Sequence, residues 1–173
     1  MPRTVVTEGS MKRTLILVRH AKSSWDGIGL PDTERPLADR GKRDAPMMGK
    51  RLAKQQAKPD LILSSPARRA LATAQIIAKE LGYKAKDIVV DDRLYATEPE
   101  TLLAVVGEIN DKLKCVMLFG HNPELSELAH RLSRDIALLP TCAVAQFTFE
   151  TKSWAKIGDV QPANVVLDYP KKE

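Results

Sequence analysis

The sequence predicts an α/β fold, a three-layer α/β/α sandwich in which helices cover both faces of a largely parallel β-sheet. Four short runs are apolar almost throughout and each is followed by a break, a pattern typical of strands covered on both faces; these runs are TLILV, DLILSS, DIVVD and CVMLFG. Helical segments alternate with the runs, and such alternation favours a parallel sheet. The helical segments span approximately 39–57, 67–81, 99–109 and 123–133.

Local signals set the limits of these helices. Gly82 closes the second helix, and Pro99 and Pro123 stand at first-turn positions that proline favours. Pro46 falls inside the first helix, where it must either kink the helix or mark its true first turn. After about residue 140 the pattern changes to alternating segments, AVAQFTFE, SWAKI and NVVLDY. These predict a hairpin or edge strands that add an antiparallel edge to the same sheet.

The length of 173 residues and the apolar fraction of 43% are sufficient for one domain with one core. Residues 1–11 carry no pattern and precede a second methionine, so we expect a disordered tail or a mis-assigned start before a single domain over 12–173. No apolar stretch approaches the roughly 20 residues that cross a bilayer, and the N-terminus does not resemble a secretory signal. We expect a cytoplasmic protein; its oligomeric state is left open, with a monomer plausible.

The charge balance of 27 Lys and Arg against 22 Asp and Glu gives a net charge of +5. Much of the excess lies at helical spacing in DRGKRDAPMMGKRLAKQQAK, which predicts a solvated helix face. Aromatic residues make up 5% of the chain, too few for a base-stacking platform, so no nucleic-acid partner is expected. Cys115 and Cys142 belong to no CxxC motif or Cys/His cluster. We interpret both as core residues and expect no metal or other cofactor.

Arginine and histidine residues follow three of the predicted strands at the point where each strand ends. The first strand ends in Arg19 and His20, the second is followed by Arg68 and Arg69, and the fourth by His121. Because the carboxyl ends of parallel strands meet at one edge of the sheet, we expect these side chains to converge there. Guanidinium groups beside helix N-termini bind phosphate, and histidine adds a nucleophile or a general acid or base. The sequence therefore predicts a phosphate site with histidine chemistry.

Other phosphate chemistries lack their motifs in this chain. There is no GxxxxGK[ST] loop, neither cysteine is followed by arginine at the spacing of a cysteine phosphatase, and no cluster suits a two-metal site. A histidine nucleophile remains. A phosphate-binding module without catalysis is the alternative, although pure binding requires charge and not a nucleophile.

Four blocks of the sequence, LVRHAKSSW, RPLADRG, SSPARRALATA and FGHNPELSELA, resemble the signature blocks of the histidine phosphatase superfamily. That superfamily is similar to phosphoglycerate mutases, and the blocks look in particular like those of its short SixA-type branch of phosphohistidine phosphatases. The resemblance runs from about residue 13 to the end. It implies a phosphoglycerate mutase-like fold and a metal-independent phosphatase with a phosphohistidine intermediate. The implied substrate is phosphohistidine on a protein, with small phosphate esters as the alternative.

The resemblance also implies roles for individual residues. His20 would be the nucleophile, and His121 would be the second catalytic histidine of the pocket. The side chains implied to bind phosphate are Arg19, Arg35, Arg69, His121 and Asn122. The neighbouring Arg68 is then a surface or helix-capping charge. A dense positive pocket would lower the pKa of His20 and keep it neutral, while a backbone carbonyl could fix its other nitrogen.

The general acid is left open among three carboxyl groups. Larger members of the superfamily carry a glutamate after the third strand, where this chain offers Glu98 in uncertain register. Asp32 occupies the place of an aspartate in the SixA branch and is preferred as the catalytic acid, and Asp26 lies on the same loop. Loop aspartates commonly cap turns, which is the alternative for either of them. The connecting segments are too short for a lid, so we expect a shallow, open pocket.

Overall fold

A computed structural model describes residues 12–172, which form one six-stranded sheet with helices on both faces. The strands are β1 (Lys12–Arg19), β2 (Leu61–Ser64), β3 (Val89–Val90), β4 (Cys115–Gly120), β5 (Val144–Glu150) and β6 (Asn164–Asp168). The helices are α1 (Asp39–Lys54), α2 (Arg68–Glu80), α3 (Pro99–Gly107) and α4 (Glu124–Leu132). The expected disordered tail, residues 1–11, lies outside the described residues.

The strand order is β3-β2-β4-β1-β5-β6. The pairs β3-β2, β2-β4 and β4-β1 are parallel, whereas β1-β5 and β5-β6 are antiparallel. This confirms the predicted mixed sheet, parallel over most of its width with an antiparallel edge. The order also places the carboxyl ends of β2, β4 and β1 side by side.

Alternate residues of β1 point to opposite faces of the sheet and enter two separate cores. Leu15 and Leu17 pack with residues of α3 and α4 on one face. Ile16 and Val18 pack with residues of α1 and α2 on the other face. Full burial of each such side chain contributes about 1.5 to 3 kcal/mol, so both faces of β1 anchor the strand that leads to His20. The three-layer prediction is confirmed.

The segment SWAKI, predicted as a strand, instead begins a 3-10 turn that spans Trp154–Asp159. Its tryptophan is fully buried in the core on the α3 and α4 face. The backbone N–H of Trp154 donates to the Asp111 carboxylate over 2.8 Å, and its indole N–H donates to the carbonyl of Leu113 over 2.7 Å. These long-range contacts outweigh the local alternation that predicted an edge strand.

Pro46 lies in the interior of α1, which begins at Asp39 and runs through the proline. The proline therefore does not mark the first turn of the helix. The run DIVVD contributes only the two residues of β3 to the sheet, and both are about half exposed because β3 is an edge strand.

Both cysteines are free thiols; Cys142 is buried, but Cys115 is only partly buried. Burial raises the pKa of each thiol to about 12, so neither is a reactive thiolate at neutral pH. In residues 12–172 no group of three or more His, Cys, Asp or Glu side chains is arranged to hold a metal ion. Over the same range, no helix has the length and apolar character needed to span a membrane.

Candidate active site

The ends of β2, β4 and β1 bring Ser65, His121 and His20 together at one edge of the sheet. The backbone N–H of His20 donates to the carbonyl of Gly120, and that of Ser65 donates to the carbonyl of Phe119. The hydrogen bonding of the sheet therefore continues one residue past the ends of β1 and β2. The rings of His20 and His121 lie 5.1 Å apart between centroids, although about a hundred residues separate them in sequence. The predicted convergence of the two histidines is observed.

The imidazole of His20 is buried and held in one tautomer. Its Nδ1 lies 2.7 Å from the carbonyl oxygen of Ala21, and since a carbonyl only accepts, Nδ1 carries the proton. This leaves the lone pair on Nε2. Burial, followed by the charges of Arg69, Arg19 and Arg35, lowers the pKa of His20 to about 4. The ring is therefore neutral at neutral pH with a nucleophilic nitrogen available.

His121 is also buried and neutral. Burial is the main cause that lowers its pKa to about 3, and the nearby His20 and Arg69 add to the effect. Its Nε2 lies 2.8 Å from the hydroxyl of Ser65, which itself accepts the backbone N–H of Ala67. When the Ser65 hydroxyl donates to Nε2, the proton of His121 resides on Nδ1. That Nδ1 is buried and has no hydrogen-bond partner among the described residues.

Two arginines, the buried Arg69 and the partly buried Arg19, hold N–H donors without a protein acceptor. Arg69 donates through Nη1 to the carbonyl of Asp32 over 2.7 Å and through Nη2 to its carboxylate over 2.9 Å. Arg19 donates through Nη1 to the carbonyl of Leu139 over 2.9 Å, and burial lowers its pKa. The Nε of each arginine is buried and makes no hydrogen bond within residues 12–172. Such donors fit an anionic ligand, because a buried N–H without an acceptor is costly.

Asp32 stands at the centre of a polar network at the mouth of the site. One carboxylate oxygen accepts from the hydroxyl of Tyr95 over 2.6 Å and from Arg69; the other accepts from Arg35 over 3.1 Å. The Tyr95 hydrogen bond, then those from the two arginines, hold the pKa of Asp32 well below its usual range. The carboxylate of Asp32 therefore anchors Arg69, Arg35 and Tyr95 in this structure, and its role as general acid stays a prediction.

Arg35 is engaged in contacts within its own loop. Its guanidinium donates to the carbonyl of Ser24 over 3.1 Å, to the hydroxyl of Ser23 over 2.6 Å and to Asp32. The ring of Trp25 covers it at 3.3 Å from the ring centroid. Arg35 thus lies near the site, and these contacts order the loop; direct phosphate binding by Arg35 stays a prediction.

Asn122 is similarly committed to the protein. Its amide nitrogen donates to the carbonyl of Leu139 over 3.0 Å, and its amide oxygen accepts from the backbone and hydroxyl of Ser126. Because the Leu139 carbonyl also accepts from Arg19, Asn122 positions the loop that holds Arg19. Its proposed contact with phosphate remains a prediction.

The other two acid candidates lie at exposed positions. Asp26 is on the outer part of its loop, and Glu98 is the residue that precedes α3. Tyr95, also after β3, faces the site instead: its ring meets the ring of His121 edge-on, with centroids 5.5 Å apart. The sequence contained Tyr95 in the segment RLYATEPE, but the register after β3 gave no means of choosing it.

Ser65 and Thr73 are two further site residues that sequence reasoning did not single out. Thr73 accepts the backbone N–H of Ala21 over 3.0 Å and so fixes the peptide that orients His20. Both lie in the block SSPARRALATA, which was the available signal. The same block contains the exposed Arg68, whose different environment from Arg69 agrees with its predicted surface position.

Comparisons with known proteins identify the family of this chain. The family model of the histidine phosphatase superfamily (branch 1) matches residues 15–97. An uncharacterised chloroplastic protein of Arabidopsis thaliana is 31% identical over 153 residues, which cover 84% of this chain and 70% of the relative. The chain belongs to the histidine phosphatase superfamily.

Two further proteins are similar to this chain. A structure from Agrobacterium tumefaciens, provisionally named a phosphohistidine phosphatase SixA, is 26% identical with a TM-score of 0.74, covering 89% of this chain and 97% of its own. Phosphoserine phosphatase 1 of Hydrogenobacter thermophilus is 37% identical over 84 residues, which cover 46% of this chain and 36% of that enzyme. The fold is that of the SixA-type branch, and the site supports a phosphatase.

Proposed function

We propose that this protein is a metal-independent phosphatase that removes phosphate from phosphohistidine on a protein through a phosphorylated His20. The observation that carries the proposal is the tautomer of His20. Its Nδ1 donates to the carbonyl of Ala21, which leaves the lone pair on Nε2 in a buried site with unpartnered arginine donors. A site used only to bind phosphate would need the charges but not an oriented neutral imidazole.

In the first step Nε2 of His20 attacks the phosphorus, and the bond from phosphorus to the leaving nitrogen breaks. The leaving imidazole nitrogen keeps the bonding electron pair and takes a proton from solvent. In the second step water attacks the phosphorus, Nε2 of His20 leaves with its electron pair, and inorganic phosphate is released. Both steps spread negative charge over three phosphoryl oxygens.

The chain's own side chains provide donors for those oxygens. Arg19 and Arg69 each have a buried Nε–H without a protein acceptor, and His121 has a buried Nδ1 in the same condition. Donors already in place stabilise developing charge without a reorganisation cost during the reaction. The proposed metal independence rests on these side chains: the guanidinium groups of Arg19 and Arg69 carry the compensating positive charge, and the neutral His121 adds a hydrogen-bond donor.

Two features favour phosphohistidine over an alkyl phosphate as substrate. An imidazole is easier to expel from phosphorus than an alkoxide, and the ionised Asp32 is a poor proton donor for an alkoxide. The segment between β3 and β4 contains α3, which packs against α4 and Trp154–Asp159 on one face of the sheet. The segment reaches the site through Tyr95, and a site without a longer covering segment would give a protein surface access to the phosphate pocket.

The second candidate is a phosphatase of small phosphate monoesters, with the same nucleophile. The similarity to a protein named phosphoserine phosphatase 1 favours this alternative. The two candidates differ in the source of substrate binding energy. A small ester in an open site is held mainly through its phosphate, whereas a protein substrate can also bind through its surface.

The test compares kcat/KM for proteins phosphorylated on histidine with that for serine, sugar and other alkyl phosphates. We expect the phosphohistidine proteins to be the better substrates. Rapid acid-free quenching should trap phosphate on His20, and His20→Ala should abolish turnover while His130→Ala, at an exposed position, should retain it. Phosphate trapped on another residue contradicts the mechanism, and comparable kcat/KM for a sugar phosphate supports the second candidate.

A further inference from the structure

Exposed apolar side chains gather in two loops beside the site. Of the seven large apolar side chains that are exposed in residues 12–172, three lie on β3 and β6. The other four belong to loops that contact the proposed phosphate pocket; they are Trp25, Ile28, Leu30 and Leu138. Scattered exposed apolar residues are ordinary, but their concentration around one functional site marks an interaction surface. We call these four residues the apolar rim.

The first loop of the apolar rim is held against the site. The ring of Trp25 is 74% exposed, yet it covers the guanidinium of Arg35 at 3.3 Å. Arg35 in turn donates to Asp32, which binds Arg69. Ile28, at the outer end of the loop, is fully exposed. The loop therefore presents apolar surface in a fixed relation to the arginine pocket.

The second loop, which contains Leu138, also contacts the phosphate pocket, although it is distant from the first loop in sequence. Leu138 is 64% exposed, and the next residue, Leu139, is fully buried. The carbonyl of Leu139 accepts from both Arg19 and Asn122, while its backbone N–H donates to Ser126. The backbone of an anchored loop loses little conformational entropy on binding, which favours its use as a contact surface.

The charge of the first loop indicates the class of partner. The segment from Ser23 to Glu34, SSWDGIGLPDTE, contains three acidic residues and no lysine or arginine. Asp32 is paired with arginines, but Asp26 and Glu34 are exposed and form no ion pair with any described residue. Anionic lipid would be repelled by these carboxylates, whereas lysine or arginine on a protein partner would be attracted.

We propose that the apolar rim docks a folded protein whose phosphohistidine is bordered by apolar and basic side chains. This inference rests on the proposed function and adds the surface that selects the substrate. Contacts remote from phosphorus supply binding energy that an open pocket alone lacks, and they raise kcat/KM for the docked protein.

The experiment uses a panel of folded proteins, each phosphorylated on one surface histidine flanked by apolar and lysine side chains, and peptides with the same local sequences. The full chain is compared with the double variant Ile28→Ser, Leu138→Ser and with the matched control Val89→Ser, Val166→Ser, which alters exposed valines of β3 and β6. Trp25 is left intact because its loss would uncover Arg35.

Wild-type protein is expected to prefer folded substrates over their peptides. The double variant should lose about tenfold or more in kcat/KM on the folded substrates, the size expected for two contact residues, with peptide turnover unchanged. The control should behave as wild type. Glu34→Lys should also lower turnover of the folded substrates and leave peptide turnover unchanged.

Three results would overturn the inference: no preference for folded substrates in wild type, an unchanged preference in the double variant, or an equal loss in the control. Flotation with vesicles of anionic phospholipid, abolished by the double variant, would assign the rim to a membrane instead. Failure of wild type to hydrolyse either folded protein or peptide would contradict the proposed function itself, which is a distinct outcome.

Discussion

At the residue scale, Arg68 and Arg69 differ by one position in α2 and have opposite surroundings. Arg69 is buried against Asp32, whereas Arg68 is exposed. Arg69→Ala is expected to lower kcat/KM by about 30- to 1000-fold, equivalent to about 2 to 4 kcal/mol of transition-state stabilisation. Arg68→Ala is the matched control and should cost little. A larger loss from Arg68→Ala would show that Arg68, and not Arg69, contacts the phosphate.

Asp32 offers a second test at this scale, because its two proposed roles have different signatures. As an ionised anchor, it orients Arg69, Arg35 and Tyr95 for every substrate. Asp32→Asn is therefore expected to lower kcat/KM for phosphohistidine and alkyl phosphates by similar factors, measured on both classes with one preparation. If Asp32 is the general acid, the alkyl phosphates will lose far more, since an alkoxide needs the proton.

The two site histidines should titrate far below the ordinary range of imidazole. Burial lowers the pKa of His20 to about 4 and that of His121 to about 3. NMR of the ring protons should show His20 neutral down to about pH 5 and protonated only as the pH falls through about 4. Activity requires the neutral form, so it should fall in the same acidic window.

The His20→Asn variant assigns the resonance of His20 in this titration. Arg69→Ala should shift the His20 midpoint upward, because the Arg69 charge is one cause that lowers the pKa. A midpoint near 6.5 for His20 would contradict the buried neutral imidazole on which the mechanism depends.

At the element scale, the start of α1 lies directly against the segment that follows His20. The backbone N–H of Ala38 donates to the carbonyl of Lys22 over 2.9 Å. A Cβ at Gly41, the glycine of RPLADRG, would lie 2.2 Å from the same carbonyl oxygen. This close approach explains why the block ends in glycine and links α1 to the geometry of the site.

Gly41→Ala is accordingly expected to destabilise the fold by about 1 to 3 kcal/mol, the usual cost of forcing atoms into a packed contact. Thermal unfolding followed by circular dichroism measures the loss as a lower Tm. The control is Gly107→Ala in α3, where a Cβ would lie 3.5 Å from Ala155, an ordinary contact. Equal Tm values for the two variants would show that the backbone at Gly41 moves aside without cost.

At the scale of the whole molecule, the described sheet begins at Lys12, which pairs with Glu150 of β5. We predict that one domain over 12–173 carries both folding and activity. A chain starting at Met11 should keep its Tm within about 2 °C and its kcat/KM within about twofold of the full chain, as expected if the domain begins at residue 12. A large loss of either would assign residues 1–11 a structural part in the domain.

The sequence by itself determined the α/β layers and the main candidate site residues, because both follow from local order. The alternation of apolar runs and helical segments requires no knowledge of the fold, and the strands end at recognisable blocks that contain His20, Arg69 and His121. Parallel strands then bring those ends to one edge, as the sheet confirms.

Only the tertiary structure decided which neighbours each side chain meets. Asp32 and Tyr95 are 63 residues apart in sequence and share a hydrogen bond that, with two arginines, keeps the carboxyl ionised. The buried Trp154 likewise converts a predicted strand into a turn through contacts with a distant loop. Charge state and burial depend on groups that strand order brings together. A local sequence pattern contains no information on the distance between such groups in the fold.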